Sequence, residues 1–93
     1  MALTISVYEK RGLKRGPALT DANFAAVSTV LVIYNIPLRA TGGGPLGGPT
    51  YQVETPRGLE NVSWCVRVAS PRHNAHDFWV RDGETHDVWL SPR

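Results

Sequence analysis

Apolar and polar residues alternate through Leu3-Thr4-Ile5-Ser6-Val7-Tyr8, the period of two that marks a half-buried strand. The alternation returns over 61–69, where Val62, Trp64, Val66 and Val68 share one face and Ser63, Cys65 and Arg67 the other; this stretch predicts the clearest core strand. A shorter strand is predicted over Tyr51–Thr55, closed by a turn at Pro56-Arg57-Gly58, while Ser70–Asn74 reads as loop.

The period is ambiguous after the first strand. Thr20 can cap a helix, Asp21 sits in the first turn where a negative charge suits the dipole, and Leu19 with Phe24 has the spacing of a hydrophobic staple. Asn23 stands where a full capping box has Glu or Gln. Phe24, Val27, Leu31 and Tyr34 recur at helical spacing, yet Val30–Tyr34 is also a β-favouring run. Periodicity fits both; the reading adopted is a helix over Thr20–Ser28 and a strand over Val30–Ile36.

The closing stretch, Asp77–Leu90, predicts a β-hairpin with Asp82-Gly83 in a type I′ turn. Counting outward, Arg81 faces Glu84, Val80 faces Thr85, Trp79 faces His86 and Phe78 faces Asp87. One face then carries Phe78, Val80 and Trp89, the other Trp79, Val88 and Leu90. Both are apolar, and a small domain has one core to offer, so the second face calls for a neighbour.

These elements make residues 1–93 one small α+β domain, mainly antiparallel β of sandwich- or barrel-like form, with one short helix and a C-terminal β-hairpin. Residues 9–16 read as a basic connector or arm, and 41–49, with five Gly and two Pro, as a long irregular loop. At 10.2 kDa the scaling laws allow roughly 64% of the chain's surface to be buried, a thin core that partner chains would help. A net charge of +2 is too small for the field that sequence-independent nucleic-acid binding needs, so nucleic acid is not the expected partner. No apolar run reaches the length of a membrane span, and none of the basic start, apolar stretch and cleavage site of a signal peptide is present, so synthesis in a cytoplasm is expected. A lone Cys65 forms no intrachain disulfide and reads as a buried small hydrophobe. The Asn61-Val62-Ser63 sequon is read as accidental.

Motifs that carry chemistry are sparse. The glycines of 41–49 lack the Lys that ends a phosphate loop. His73, His76 and His86 lie within fourteen residues but outside a metalloprotease pattern; exposed loop histidines and a His86 packed on Trp79 are expected, with no metal and no cofactor. Cys65 in mid-strand lacks the setting of a Cys-His nucleophile, and no elbow or dinucleotide fingerprint is present, so an enzyme is not expected. Trp64, Trp79 and Trp89 with Arg67, Arg72 and Arg81 have the chemistry of a stacking platform for nucleic acid or glycan, which is the alternative function.

The stretch Lys14-Arg15-Gly16-Pro17-Ala18-Leu19-Thr20-Asp21-Ala22-Asn23-Phe24-Ala25-Ala26-Val27 resembles a short segment common near the start of bacteriophage tail-fibre and other virion fibre proteins. There a basic-Gly-x-x-Leu-Thr run leads, a few residues later, into Asp-x-Asn-Phe and an aliphatic residue; here Leu19-Thr20 runs straight into Asp21-Ala22-Asn23-Phe24. The match covers fourteen of 93 residues. It implies a non-enzymatic structural subunit of a phage particle, of tail-fibre, head-fibre, neck or capsid-decoration type. Such a subunit is a symmetric homo-oligomer docked on capsid, neck or tail, resident in the virion and made in the bacterial host's cytoplasm. The interface residues expected on this reading are Trp79, Val88 and Leu90, the loop around Gly43 and Leu46, and the arm Lys10, Arg11, Lys14 and Arg15.

Overall fold

The inward alternation of Leu3, Ile5 and Val7 continues one step past its apolar residues, so that Glu9 is the next inward position of a ten-residue strand, β1 (Ala2–Arg11). The computed structural model describes residues 1–28, 32–43 and 49–93. Leu46 and the junction at 29–31 lie outside them.

Strand β1 organises the first sheet. One of its edges takes β9 (Thr85–Leu90) in parallel, Thr4–Glu9 against Thr85–Leu90. The other is shared: β6 (Pro49–Glu54) pairs with Ala2–Ser6, and β2 (Lys14–Ala18) with Tyr8–Arg11, both antiparallel. Strand β5 (Leu38–Gly43) lies outside β6. The second sheet is antiparallel throughout, β4 (Val32–Asn35), β3 (Asn23–Val27), β7 (Trp64–Ser70) and β8 (His73–Val80) in spatial order. Leu3, Ile5, Val7, Tyr51, Val53, Val88 and Leu90 from the first sheet meet Phe24, Ala26, Trp64, Val66, Val68 and Val80 from the second in one core. The mainly antiparallel character expected from the alternation is therefore present.

No helix occurs among the described residues, and the segment read as helical is extended. Tertiary partners decide this. The Tyr51 hydroxyl, buried between the sheets, donates to the Leu19 carbonyl (2.6 Å) and accepts from the Ala22 N–H (3.2 Å), the donor that a Thr20 cap would otherwise satisfy. From there Phe24 lies opposite Val68 and packs edge-on against Tyr51 with ring centroids 5.2 Å apart. Ladder hydrogen bonds and a buried ring outweigh the few tenths of a kcal/mol per residue that separate helix propensities. Part of the expected second strand is present as β4.

The C-terminal hairpin does not form. Gly83 has φ 84 and no described non-glycine residue has positive φ, so the Arg81–Glu84 turn, closed by Glu84 N–H to Arg81 C=O at 3.2 Å, is type II rather than I′. Type II turns splay the flanking strands, and here β8 and β9 part into different sheets. Asp82 holds the arch by accepting from the Thr55 hydroxyl at 2.6 Å. The link Ile36-Pro37 similarly carries the chain from β4 in one sheet to β5 in the other. A hairpin appears instead where an irregular arm was expected. Gly12, φ 59, is the first central residue of a two-residue turn, the type II′ position, and joins β1 to β2. The loop expected over 41–49 is also shorter, since Thr41–Gly43 pair with Tyr51–Pro49.

Candidate functional site

The arch redistributes the residues on which an interface was expected. Val88 and Leu90 are buried, because β9 turns their side chains into the core; they are not a second exposed hairpin face. Trp79 is 66% exposed. It lies opposite Cys65 on the outer face of the second sheet, beside Val27 in the same cross-strand row. Val27, Ser28, Cys65, Asp77, Phe78 and Trp79 line a shallow recess of ≈ 290 Å³. Its rim is fixed by Arg67, which donates from Nε and a terminal nitrogen to the two Asp77 oxygens at 2.8 and 3.0 Å. That bond, more than the charge alone, holds the Asp77 carboxyl below its ordinary range. Burial, then the Asp77 charge, pushes the Cys65 thiol up, the opposite direction from an activated nucleophile. Cys65 is half-buried on this outer face rather than in the core.

The three tryptophans diverge. Trp64 is buried between the sheets, Trp79 projects from the second sheet, and Trp89 lies on the outer face of the first, beside Tyr8. Arg67 is committed to Asp77, Arg81 reaches the Asn61 carbonyl (3.1 Å), and Arg72 sits in the exposed turn between β7 and β8. The expected Trp and Arg set is thus not gathered on one surface.

A different set is gathered at the β1–β2 hairpin. Lys10 lies opposite Arg15 and Arg11 opposite Lys14, all exposed, with Leu13 at the tip 99% exposed. The Arg15 guanidinium lies over the Tyr8 ring, 4.6 Å from its centroid. Gly16 permits the bulge in β2: a Cβ there would stand 2.8 Å from the Glu9 carbonyl oxygen.

Inward from this hairpin, an unforeseen chain of polar groups ties the two sheets. His73 is buried, not an exposed loop residue; its Nε2 donates to Glu9 at 2.9 Å, and its Nδ1 shares a 2.6 Å hydrogen bond with the Ser70 hydroxyl. A carboxylate can only accept, so Nε2 carries the proton. Arg11 donates to the other Glu9 oxygen at 2.6 Å. The hydrogen bond from Arg11, then that from His73, holds the Glu9 carboxyl below its ordinary range. Ser, His and Glu in sequence have hydrolase chemistry, but Ser70 is 4% exposed and His73 6%, so the hydroxyl is sealed from any substrate and the chain acts as a structural tie. The available signal was Glu9 at an inward position of an alternating strand. His86 packs on Phe78 (5.4 Å) rather than Trp79, His76 stacks on the same ring (5.5 Å), and His86 also bonds Glu84. Among the described residues no group of three metal-ligating side chains converges. No protein-family model, curated protein or solved structure matches the chain.

Proposed function

We propose that the protein is a non-catalytic building block that pairs with a second copy of itself along the outer edge of β8, which bears no further strand among the described residues, as an accessory subunit of a phage particle of decoration, neck or tail-fibre type. The observation that carries the pairing is Trp79, two-thirds exposed on an edge strand and backed by Cys65 and Val27. An exposed edge offers unpaired backbone groups, and a large aromatic on it supplies the apolar area that interfaces concentrate in a few residues. The start of β8 is occupied by the chain's own end, Asn74 N–H bonding Ser91 C=O at 2.8 Å, which leaves the half that bears Trp79 for a partner. Antiparallel pairing about a two-fold axis brings the Trp79 side chains of two copies onto one continuous outer face. The setting in a virion rests on the fibre-like segment over Lys14–Val27, and docking on a larger capsid, neck or tail protein follows from that likeness alone.

Sedimentation equilibrium over a range of protein concentrations tests the pairing. A reversible dimer is expected, with Trp79→Ser weakening it while leaving the melting temperature of the monomer nearly unchanged. A wild-type chain that stays monomeric at the highest concentration, or a variant that loses its fold and keeps its dimer constant, removes the reading.

A further inference from the structure

We infer that the outer face of the first sheet, at the root of the β1–β2 hairpin, is a binding site for single-stranded nucleic acid, with Lys10 and Arg15 along the phosphates and Trp89 under a base. The charge is polarised in a way the net value conceals. Residues 10–15 hold four cations and no acid, whereas the rest of the chain holds six cations against eight acids. Within the hairpin the cations stand directly across from one another, Lys10 from Arg15 and Arg11 from Lys14. Like charges so placed destabilise a strand pair, and of the four cations only Arg11 has a carboxylate partner, Glu9, among the described residues. The aromatic half of the site is adjacent: Tyr8 lies opposite Trp89, on the same outer face as Lys10 and Arg15. Arg15 is pre-ordered by its stacking on Tyr8, and Trp89, the neighbour of Tyr8 across the next ladder, remains 40% exposed. A cationic track with an aromatic at its end is how single strands are held without sequence preference, stacking supplying what charge alone does not.

A lipid surface has the same anionic chemistry but a different shape. Lying flat on this face it would also meet Asp87, two residues from Trp89, and Glu54 at the far end of β6; a membrane taking the hairpin tip first would engage Leu13 and leave Trp89 several residues behind. A narrow polymer crossing the hairpin end meets the cations and the ring and avoids the acids. The site faces away from Trp79 and is independent of the dimer proposed above.

The test is fluorescence anisotropy of a fluorescein-labelled oligothymidylate, with a duplex of equal length and phosphatidylserine vesicles in parallel. The single strand is expected to bind best, with a log–log salt slope of about −1.4 for the two phosphates that Lys10 and Arg15 neutralise. Trp89→Ala is expected to weaken binding roughly tenfold, and Arg15→Glu by at least as much, while Trp79→Ala changes nothing. Both variants lie on an outer face, and unchanged melting curves establish that they fold. In a Trp79→Phe chain, quenching of the remaining exposed tryptophan on adding oligonucleotide reports stacking at Trp89. Absence of binding, preference for the vesicles or the duplex, or affinity insensitive to Trp89→Ala overturns the assignment.

Discussion

The two ends of the chain each carry a Gly-containing turn between strands, and the fold uses them in opposite ways. At the N-terminal end Gly12 occupies the first central position with φ 59, and β1 and β2 stay paired beyond it. At the C-terminal end Gly83 occupies the second with φ 84, and β8 and β9 part into different sheets. The II′ turn matches the twist of paired strands, and the type II turn does not. One residue of displacement in the glycine thus separates a projecting ribbon from an arch that closes the sandwich. The hairpin is left free to present charge to solvent, whereas the arch turns Val88 and Leu90 into the core.

The largest effect is expected where the hairpin joins the body. Gly16→Val places a Cβ 2.8 Å from the Glu9 carbonyl and 3.0 Å from the Arg11 side chain, and the backbone oxygen cannot move aside without opening the β1–β2 ladder. Thermal unfolding should show a loss of about 2 kcal/mol, on the order of 10 °C. A variant that melts with the wild type means the bulge is not needed.

Gly12→Ala and Gly83→Ala then compare the two turns directly. Neither added methyl meets another atom, so each substitution acts through positive φ alone, at an intrinsic cost of about 1 kcal/mol. The hairpin tip frays locally, so global melting registers little of the cost at Gly12. The arch couples both sheets, so Gly83→Ala is expected to lower Tm by about 4–8 °C and Gly12→Ala by less than half of that. Equal shifts would show that the hairpin is as much part of the cooperative unit as the arch.

The same contrast locates what was legible before folding. Alternation found β1, β6 and β7, because one face of each strand is buried and the period of two survives in the letters. It also identified Phe78, Val80, Val88 and Leu90 as apolar strand residues, but pairing β8 with β9 put Val88 and Leu90 on the wrong side. Asp82-Gly83 favours I′ only while nothing competes, and the Thr55 hydroxyl holds Asp82 in the other geometry. The segment 20–27 misled for a related reason: Thr20 and Asp21 have the chemistry of a cap, but Tyr51, some thirty residues away, takes the Ala22 N–H that a cap would take. The candidate site was least legible. Net charge treats residues 10–15 as part of a near-neutral chain, and only the β1–β2 and β1–β9 pairings bring Arg15, Tyr8 and Trp89 together.

The smallest effect separates the two regions by pH. Glu9 at the hairpin root and Glu84 at the arch both have carboxyl pKa values below the ordinary 4.5, Glu9 through hydrogen bonds from Arg11 and His73, Glu84 through those from His86 and the Arg81 N–H. A depressed carboxylate contributes stability that is complete above its unfolded pKa and lost as pH falls through the folded one. Melting temperature should therefore fall below about pH 5 in the wild type. Glu9→Gln should flatten that fall more than Glu84→Gln. Glu9 ties β1 of one sheet to His73 of the other and its side chain is 18% exposed, whereas the Glu84 carboxylate bonds its near neighbours Arg81 N–H and His86, at 45% exposed, where water screens the interaction. Melts in a pH series decide the point: if Glu84→Gln flattens the acid limb more, the tie that matters runs through the arch and the hairpin root is incidental to the joining of the sheets.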